Sequence, residues 1–248
     1  MAEVSILVTG ATGLLGGAVL FDALRHRPDL CWTVLVRSTS EAEGRRRVAA
    51  RLARFSDEAT GFALTSRLRM LPGDLFSLAE ADPAELAGTT HVLHLAADTS
   101  YWSKESNWRV NFDGTMALAG LASRLPRLRR FLHVGTATIC GRNVPPLVRE
   151  DAYPHPDAEQ IVHYTYAKAC TETSLAERFP ALPVVVARPS IVAGHSTLGA
   201  RPSASIFWFI RAAEALSSTF RNFGWVEGSA EHPEDVLMRN EVESLVDR

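Results

Sequence analysis

A glycine-rich loop near the start of the chain limits the folds that it can adopt. Gly10, Gly13 and Gly16 lie between a short apolar run, Val4–Thr9, and a helical pattern that extends to about His26. At such points a Cβ would block the approach of backbone N–H groups and a helix N-terminus to a pyrophosphate. The spacing GxxGxxG between a strand and a helix therefore predicts a dinucleotide-binding βαβ unit.

Strand and helix patterns then alternate along most of the chain. Predicted strands cover 4–9, 32–36, 68–71, 91–95, 130–134 and 184–187, and the helices that follow the first one cover 41–55, 83–87, 106–123 and 161–179. This alternation is typical of parallel strands joined by helical crossovers, so the predicted fold class is α/β, a doubly wound parallel sheet of the Rossmann type. A further helical pattern covers 206–216, and the periodicity disappears after Trp225.

The end of the second predicted strand indicates the type of dinucleotide. NAD-binding sites place a carboxylate there, which holds the ribose 2′-hydroxyl. This chain has Val36-Arg37-Ser38 with no acid, and the Arg37 guanidinium is suited to a 2′-phosphate. We therefore expect NADP as the cofactor, with NAD as the alternative. The simpler interpretation is that Arg37 is a solvated loop residue, as the arginines at 45–47 are expected to be on their helix.

Composition and spacing exclude several other classes of protein. A formal net charge of −2 argues against a nucleic-acid binder. Cys31, Cys140 and Cys170 lie far apart, so neither a disulfide framework nor a zinc site is expected. His91 and His94 would face opposite sides of a strand and could not share a metal. Because the sequence shows no signal-peptide pattern and no apolar run of about 20 residues, we expect a cytoplasmic protein without a membrane span.

Lysine is scarce in this chain, which makes each lysine informative. Of the 26 Lys+Arg residues only Lys104 and Lys168 are lysines. Where chemistry requires an amine on a flexible stem, arginine cannot replace lysine, so a lysine retained in this chain is a candidate for such a role. Lys104 is expected to be a solvated loop cation. Lys168 follows Tyr164 by four residues on a predicted helix, so the two share a face, and an ammonium beside a tyrosine lowers its pKa. This spacing favours an acid/base pair.

Seven motifs together resemble the extended short-chain dehydrogenase/reductases. They are Thr9–Gly16, Gly73–Leu75, His94–Ala97, Asn111–Thr115, His133–Gly141, Tyr164–Lys168 and Arg188–Ser190. Leu35–Arg37 with the arginine-rich helix after it, the Tyr-Thr-Tyr-Ala-Lys run and Arg188–Val192 are similar to the branch that holds fatty acyl-CoA reductases and thioester reductase domains. The resemblance covers about residues 4–215, and sugar-nucleotide epimerases share most of its motifs.

The resemblance implies a catalytic group of Thr136, Tyr164 and Lys168. Tyr164 would exchange a proton with the substrate oxygen, Thr136 would hydrogen-bond the same oxygen, and Lys168 would contact the nicotinamide ribose. Gly135 stands where the family often has Ser, which would leave the nearby backbone more open. The bland alternative is that Tyr164 and Lys168 are surface packing, with Lys168 paired to Glu172 one turn later.

A larger set of residues is implied in cofactor binding, and no metal is expected. The set is Thr9, Gly10, Thr12, Gly13, Leu14, Leu15, Gly16, Arg37, Asp74, Leu75, Ala96, Ala97, Asn111, Tyr164, Lys168, Pro189 and Ser190. Asp74 would contact the adenine, although an Asp after Gly73 could instead form a turn. Ala96 and Ala97 would allow close approach of the cofactor, or simply pack at a strand end, and Asn111 would support the site or be an ordinary helix residue.

The chain is predicted to have two parts. Residues 1–190 would form the Rossmann domain, and residues 191–248 a partial, truncated or shortened substrate-binding segment, because nothing after Trp225 resembles the family pattern. We expect an NADP-dependent oxidoreductase that transfers hydride to or from a carbonyl or alcohol substrate, with an acyl thioester as one such substrate and a homodimer as one arrangement. The alternatives are a nucleotide-sugar epimerase or dehydratase, and a dinucleotide-binding sensor or catalytically incomplete fragment.

Overall fold

The described residues form a parallel six-stranded sheet in the strand order β3-β2-β1-β4-β5-β6. The computed structural model describes residues 4–100, 103–152, 154–155, 157–192 and 194. The strands are β1 Ser5–Thr9, β2 Cys31–Val36, β3 Leu68–Pro72, β4 His91–His94, β5 Arg130–Val134 and β6 Val184–Ala187. This order is that of doubly wound dinucleotide-binding folds, and the predicted fold class is confirmed.

Helices connect the strands within the described part of the chain. They are α1 Leu14–His26, α2 Glu41–Leu52, α3 Glu58–Leu64, α4 Leu75–Ala79, α5 Lys104–Asn107, α6 Gly114–Ala122 and α7 His163–Arg178. Short 3-10 segments at Ala53–Phe55, Thr65–Arg67, Pro83–Leu86, Ala137–Cys140 and Glu150–Ala152 complete the connections. Because consecutive strands are parallel, each connection returns along the opposite direction over a face of the sheet.

Two apolar clusters, one on each face of the sheet, hold the layers together. Successive side chains of β1 point to opposite faces of the sheet, so Leu7 belongs to one cluster and Val8 to the other. The Leu7 cluster includes Leu118 of α6 and Leu175 of α7, and the Val8 cluster includes Leu20 of α1. Each fully buried leucine contributes about 1.5–3 kcal/mol, so these clusters fix the strand ends that form the site.

Three predicted helices differ from the observed ones. The predicted helix 106–123 consists of α5, a π-helical segment Trp108–Asp113 and α6. The predicted helix 41–55 ends at Leu52 and continues as 3-10 turns, and 83–87 is a 3-10 segment. The helices α3 and α4 were not predicted, because each is too short to show an apolar period, although an aspartate caps the start of each.

The predicted C-terminal segment lies largely outside the described residues. The helical pattern at 206–216 and nearly all of 191–248 fall there, so the domain boundary at residue 190 stays a prediction. In the part of the chain that the structure describes, no helix has the length and apolar character needed to cross a bilayer.

Candidate dinucleotide-binding and catalytic site

The candidate site lies where the direction of the sheet connections reverses, between β1 and β4. The chain leaves β1 towards β2 on one side and leaves β4 towards β5 on the other. Thr9 and His94 are register partners at the carboxyl ends of these two strands. In open α/β sheets, ligands bind in the crevice outside such a reversal point.

Gly10 lies at the narrowest part of the loop after β1. Its φ is +75°, a conformation that glycine adopts at little cost, and a Cβ there would lie 2.5 Å from Ala96 N. Thr9 Oγ1 accepts a hydrogen bond from the same amide at 3.2 Å. Ala96, one of the two small residues predicted to allow close approach of the cofactor, therefore packs directly on the glycine loop of the protein.

The N-terminus of α1 fits a phosphate group. Gly13 is the N-cap and supplies no side chain to cap the helix, and the first turn of α1 has no acidic residue. Leu14 and Leu15 begin the helix and are partly buried. Helix N-termini carry backbone N–H groups and the positive end of the helix dipole, so an uncapped one at this crevice suits the pyrophosphate of a dinucleotide.

Arg51 of α2 holds the glycine loop from outside. Its Nε donates a hydrogen bond to Thr12 O at 2.6 Å, over a separation of 39 residues. A Cβ at Gly17 would lie 2.5 Å from Arg51 Cγ, so the glycine makes room for the arginine stem. Partial burial, with a smaller contribution from Arg54, lowers the pKa of Arg51. The role of Arg51 was not predicted from the sequence, where the one indication of it is that Arg51 lies in an arginine-rich helix.

Arg37 lies exposed directly after β2, where the cofactor-selecting residue was predicted. Its carbonyl accepts a hydrogen bond from Arg47, and Arg45 donates one to the Thr65 carbonyl. Arg45 is half-buried, so the expectation that it is solvated was wrong, whereas Arg46 and Arg47 are exposed, as expected. The hydrogen bonds of Arg45 and Arg47 connect α2 to the segment before β3 and to the end of β2.

Asp74 forms the cap of α4. Its Oδ1 accepts hydrogen bonds from Phe76 N at 3.0 Å and Ser77 N at 2.9 Å, and Ser77 Oγ accepts one from Asp74 N. These bonds, with the Ser77 amide first, lower the pKa of Asp74. The turn-forming alternative is thus present in the structure, and the adenine contact stays a prediction. Leu75 is buried in the core, against Gly114.

Asn111 fastens the segment that follows β4. It lies in the π-helical segment and is fully buried. Its Oδ1 accepts from Asp98 N and its Nδ2 donates to Asp98 O, both at 2.8 Å. The side chain therefore holds the backbone next to Ala97, which is itself exposed. The supporting role in the active site that the family resemblance implied for Asn111 stays a prediction.

Thr136 lies just past the end of β5, beside the end of β6. Thr136 is the N-cap of the 3-10 segment Ala137–Cys140, and its Oγ1 is 2.8 Å from Thr138 Oγ1. The backbone beside it continues the β5–β6 pairing, since Ala137 N donates to Pro189 O at 3.0 Å. The structure thus brings Thr136 and Pro189 to one edge of the sheet, next to the exposed Ser190.

Tyr164 and Lys168 lie one turn apart on α7, as predicted. Lys168 is only 2% exposed, and its Nζ donates a hydrogen bond to Val134 O at 2.7 Å. Val134 is the last residue of β5 and lies two residues before Thr136, so Lys168 and Thr136 meet at the end of the same strand. The surface-packing alternative is wrong for Lys168, which is buried, whereas Lys104 is exposed at the start of α5.

Burial changes the acidity of this lysine. Removal from water lowers the pKa of Lys168 to about 8, and the neighbouring Glu172 opposes the shift. An ammonium whose pKa lies near neutrality can change its charge in the physiological range, whereas an ordinary lysine cannot. Lys168 still carries most of its charge at pH 7, which is the condition for lowering the pKa of a neighbouring phenol.

Two buried histidines lie under the site, and sequence reasoning missed their role. His94 Nδ1 is 2.7 Å from Thr9 Oγ1, and His94 Nε2 is 2.8 Å from Thr115 Oγ1. Thr115 Oγ1 donates its one proton to the Asn111 carbonyl, so His94 donates through Nε2 and accepts at Nδ1. Burial lowers the pKa of His94 to about 3, and burial also holds the pKa of the adjacent His133 well below its usual range. Both rings are neutral at pH 7.

A cavity of about 440 Å³ lies on the other side of α7. Its lining includes Lys104, Trp108, His163 and Tyr166, and it contains none of the three predicted catalytic residues. Tyr166 and Ala167 point into it from helix positions between Tyr164 and Lys168. The cavity is therefore separate from the crevice at the strand ends. Among the described residues, no group of three or more His, Cys, Asp or Glu side chains could hold a metal ion.

The strand order, the uncapped helix behind a glycine loop and the Tyr-x-x-x-Lys helix beside β5 define an extended short-chain dehydrogenase/reductase. Comparison with protein families makes the assignment narrower. The chain belongs to the NAD-binding family described as Male sterility protein, which matches residues 8–223.

Relatives and solved structures agree with this assignment. The chain is 27% identical over 224 residues to fatty acyl-CoA reductase 2 of Homo sapiens, covering 76% of this chain and 43% of that protein. The terminal R domain from the myxalamid PKS-NRPS biosynthetic pathway matches with a TM-score of 0.73 and 29% identity, over 85% of this chain and 54% of that one. UDP-glucuronic acid 4-epimerase from Bacillus cereus, with NAD, shares the fold at a TM-score of 0.60 and 21% identity. The chain thus spans about half the length of these reductases.

Proposed function

We propose that the protein is an NADP-dependent oxidoreductase that transfers hydride to or from a carbonyl or alcohol group. The observation that carries the proposal is the placement of Lys168, the buried amine of a chain with two lysines, against the end of β5 beside Thr136. The glycine loop and the uncapped N-terminus of α1 support a dinucleotide at the same crevice. Arg37 at the end of β2 supports NADP over NAD.

Bound NADPH would supply the hydride, and residues of this chain would handle the proton. Tyr164 would hold its hydroxyl beside the substrate oxygen and donate the proton as that oxygen becomes an alcohol. Lys168, charged at pH 7 and fixed at Val134 O, would lower the pKa of Tyr164 so that the proton leaves more easily. The Thr136 hydroxyl would hydrogen-bond the same oxygen and fix its position.

An acyl thioester is the proposed substrate class. The chain resembles a fatty acyl-CoA reductase over 76% of its length and the terminal R domain of a PKS-NRPS pathway over 85% of its length. Reduction of a thioester releases a thiol and gives an aldehyde. Hydride addition would place a negative charge on the carbonyl oxygen, which Thr136 and Tyr164 would stabilise by hydrogen bonds. Re-formation of the carbonyl would then break the C–S bond, and the departing thiolate would take up a proton as the aldehyde forms.

Binding and turnover assays test this proposal. The purified protein is titrated with NADPH and NADH by intrinsic fluorescence, and oxidation of bound dinucleotide is then followed with acyl-CoA and nucleotide-sugar panels. We expect tighter binding of NADPH and oxidation by acyl-CoA. Binding of neither dinucleotide would overturn the proposal, and turnover of nucleotide sugars without net oxidation would assign the protein to the epimerases.

Cofactor preference is tested with a matched pair of variants. Arg37→Asp should weaken NADPH binding and favour NADH, since a carboxylate repels a 2′-phosphate and accepts from a 2′-hydroxyl. Arg46→Asp, at an exposed position of α2, removes the same charge away from the strand end and should leave the preference unchanged. An unaltered ratio of the two dissociation constants in Arg37→Asp would show that Arg37 does not read the phosphate.

A further inference from the structure

A buried pair of opposite charges lies directly behind Lys168. Glu172 is one helical turn beyond Lys168 on α7 and is 5% exposed. Its Oε2 accepts a hydrogen bond from Arg188 Nε at 2.9 Å, and Arg188 Nη2 lies 2.7 Å from the same oxygen in an ion pair. Arg188 follows β6 and also donates from Nη1 to Glu150 O at 2.7 Å. The pair therefore joins α7 to the end of β6 and to the loop after β5.

The second oxygen of Glu172 points towards the end of β5. Oε1 is buried and has no hydrogen-bond partner among the described residues. It occupies the space that a side chain would take at Gly135, because a Cβ built there would overlap with Oε1. Gly135 follows Val134, whose carbonyl accepts the Lys168 bond. The expectation that Gly135 opens the backbone was thus incorrect, since the freed space is filled by a carboxylate.

Ionisable groups from four parts of the chain surround Lys168. His94 on β4 and His133 on β5 both interact with its charge, and both are held neutral by burial. Arg188, after β6, is a cation already bound to Glu172. On α7 itself, Tyr164 precedes Lys168 by one turn and Glu172 follows it by one turn. Glu172 is therefore the anion that the described residues place next to the buried ammonium.

We propose that Glu172, held by Arg188, is a positioning residue that keeps Lys168 charged and directed at the end of β5. This inference rests on the proposed function, in which a charged Lys168 serves Tyr164. Arg188 holds Oε2 by a hydrogen bond and an ion pair, whereas Oε1 has no hydrogen-bond partner among the described residues and lies beside Gly135, one turn of α7 from the lysine. A neutral residue at position 172 would leave Lys168 buried without a compensating charge, and a buried ammonium alone loses its proton more readily.

The scarcity of lysine makes a direct test simple. Protein labelled with 13C at lysine Cε gives two side-chain signals, and Lys104→Arg assigns them. In the unaltered protein we expect Lys168 to titrate at about pH 8. Glu172→Gln keeps the shape of the side chain and removes its charge, and it should lower the Lys168 midpoint by about one pH unit or more.

Matched variants separate this role from simple structural support. Glu177→Gln removes an exposed carboxylate from the same helix and should leave the Lys168 midpoint unchanged. Glu172→Asp draws the charge back by one methylene and should lower the midpoint by less than Glu172→Gln does. If Glu172→Gln does not fold, Glu172→Asp alone decides the question, because an unaltered midpoint in a folded variant would overturn the proposal.

Turnover supplies the second measurement. Because activity requires the ammonium, the alkaline limb of the pH profile of kcat should move to lower pH in Glu172→Gln, in step with the Lys168 midpoint. A uniform fall in kcat with an unmoved limb and midpoint would show that Glu172 is only structural. The NMR titration needs neither dinucleotide nor substrate, so its outcome is independent of whether the proposed reaction is correct.

Discussion

Lys168 is the single side chain on which the proposed chemistry depends most. Lys168→Arg would place a larger, planar cation where Nζ donates to Val134 O, inside a site that is 2% exposed. We expect turnover to fall at least 100-fold, since arginine neither fits the bond nor shares the adjustable pKa of a buried amine. Lys104→Arg, at an exposed position, should retain full activity. Equal turnover in both variants would show that Lys168 has a purely structural role.

Replacement of glycine by alanine should have opposite effects on the free energy of unfolding at Gly135 and at Gly120. Gly135→Ala would force a Cβ onto Glu172 Oε1 and should lower the free energy of unfolding by about 1–3 kcal/mol. Gly120→Ala, in α6 with open space around it, should raise that free energy by about 0.5–1 kcal/mol. Urea unfolding followed by circular dichroism measures both. A stable Gly135→Ala protein would mean that Glu172 moves aside easily.

At this scale the sequence identifies residues whose chemistry is local and misses those whose partners are distant. The spacing of Tyr164 and Lys168 is visible because four residues make one helical turn. The pairing of Glu172 with Arg188 joins a helix to a strand end 16 residues away, and no spacing rule predicts it. The same holds for Arg51, which reaches across 39 residues to Thr12.

The element formed by the glycine loop and α1 depends on α2 for its position. Arg51→Ala would remove the bond to Thr12 O and leave space beside Gly17. Because this loop would hold the pyrophosphate common to both dinucleotides, we expect binding of NADPH and of NADH to weaken by a similar factor of about ten, roughly the loss of one charged hydrogen bond. Arg54→Ala, nearby and exposed, is the control.

Fluorescence titration of both dinucleotides measures this effect. A loss confined to NADPH would indicate that Arg51 contacts the 2′-phosphate directly and does not hold the loop. Unaltered binding of both dinucleotides would show that the loop keeps its shape without the arginine.

Regular elements were predictable to the extent that their apolar period was regular. Strands β5 and β6 match their predicted bounds, because short runs rich in apolar residues are typical of strands, although β6, at the edge of the sheet, has no buried residue. The predicted helix 106–123 was wrong in its middle. A π-helical segment adds a residue to a turn, and an apolar pattern read at 3.6 residues per turn does not reveal it.

The molecule as a whole should lose stability on mild acidification. His94, with a pKa of about 3, and His133, with a strongly lowered pKa, stay neutral when folded, whereas both titrate near 6.5 when unfolded. Below that value the unfolded chain binds protons that the folded protein does not, so the free energy of unfolding falls as the pH falls. Each histidine adds a slope of up to about 1.4 kcal/mol per pH unit, which urea unfolding between pH 7 and pH 5 measures.

A variant isolates the contribution of one ring. Neither nitrogen of His133 has a hydrogen-bond partner among the described residues, so His133→Leu removes two buried polar atoms at similar volume. We expect an equal or higher free energy of unfolding at pH 7 and about half the slope below it. A variant that is less stable at pH 7, with an unaltered slope, would show that His133 has a role in the fold that its contacts do not reveal.

The π-helical segment between α5 and α6 also bears on how the length of this chain can vary. Its extra residue lets the Asn111 side chain meet Asp98 while the Asn111 carbonyl accepts hydroxyl bonds from Thr115 and Thr171. Loss of one residue here would rotate everything before it by about 100° relative to α6. Among related sequences, insertions and deletions should therefore be absent from 108–113 and should gather in the stretch 144–148, all of which is exposed.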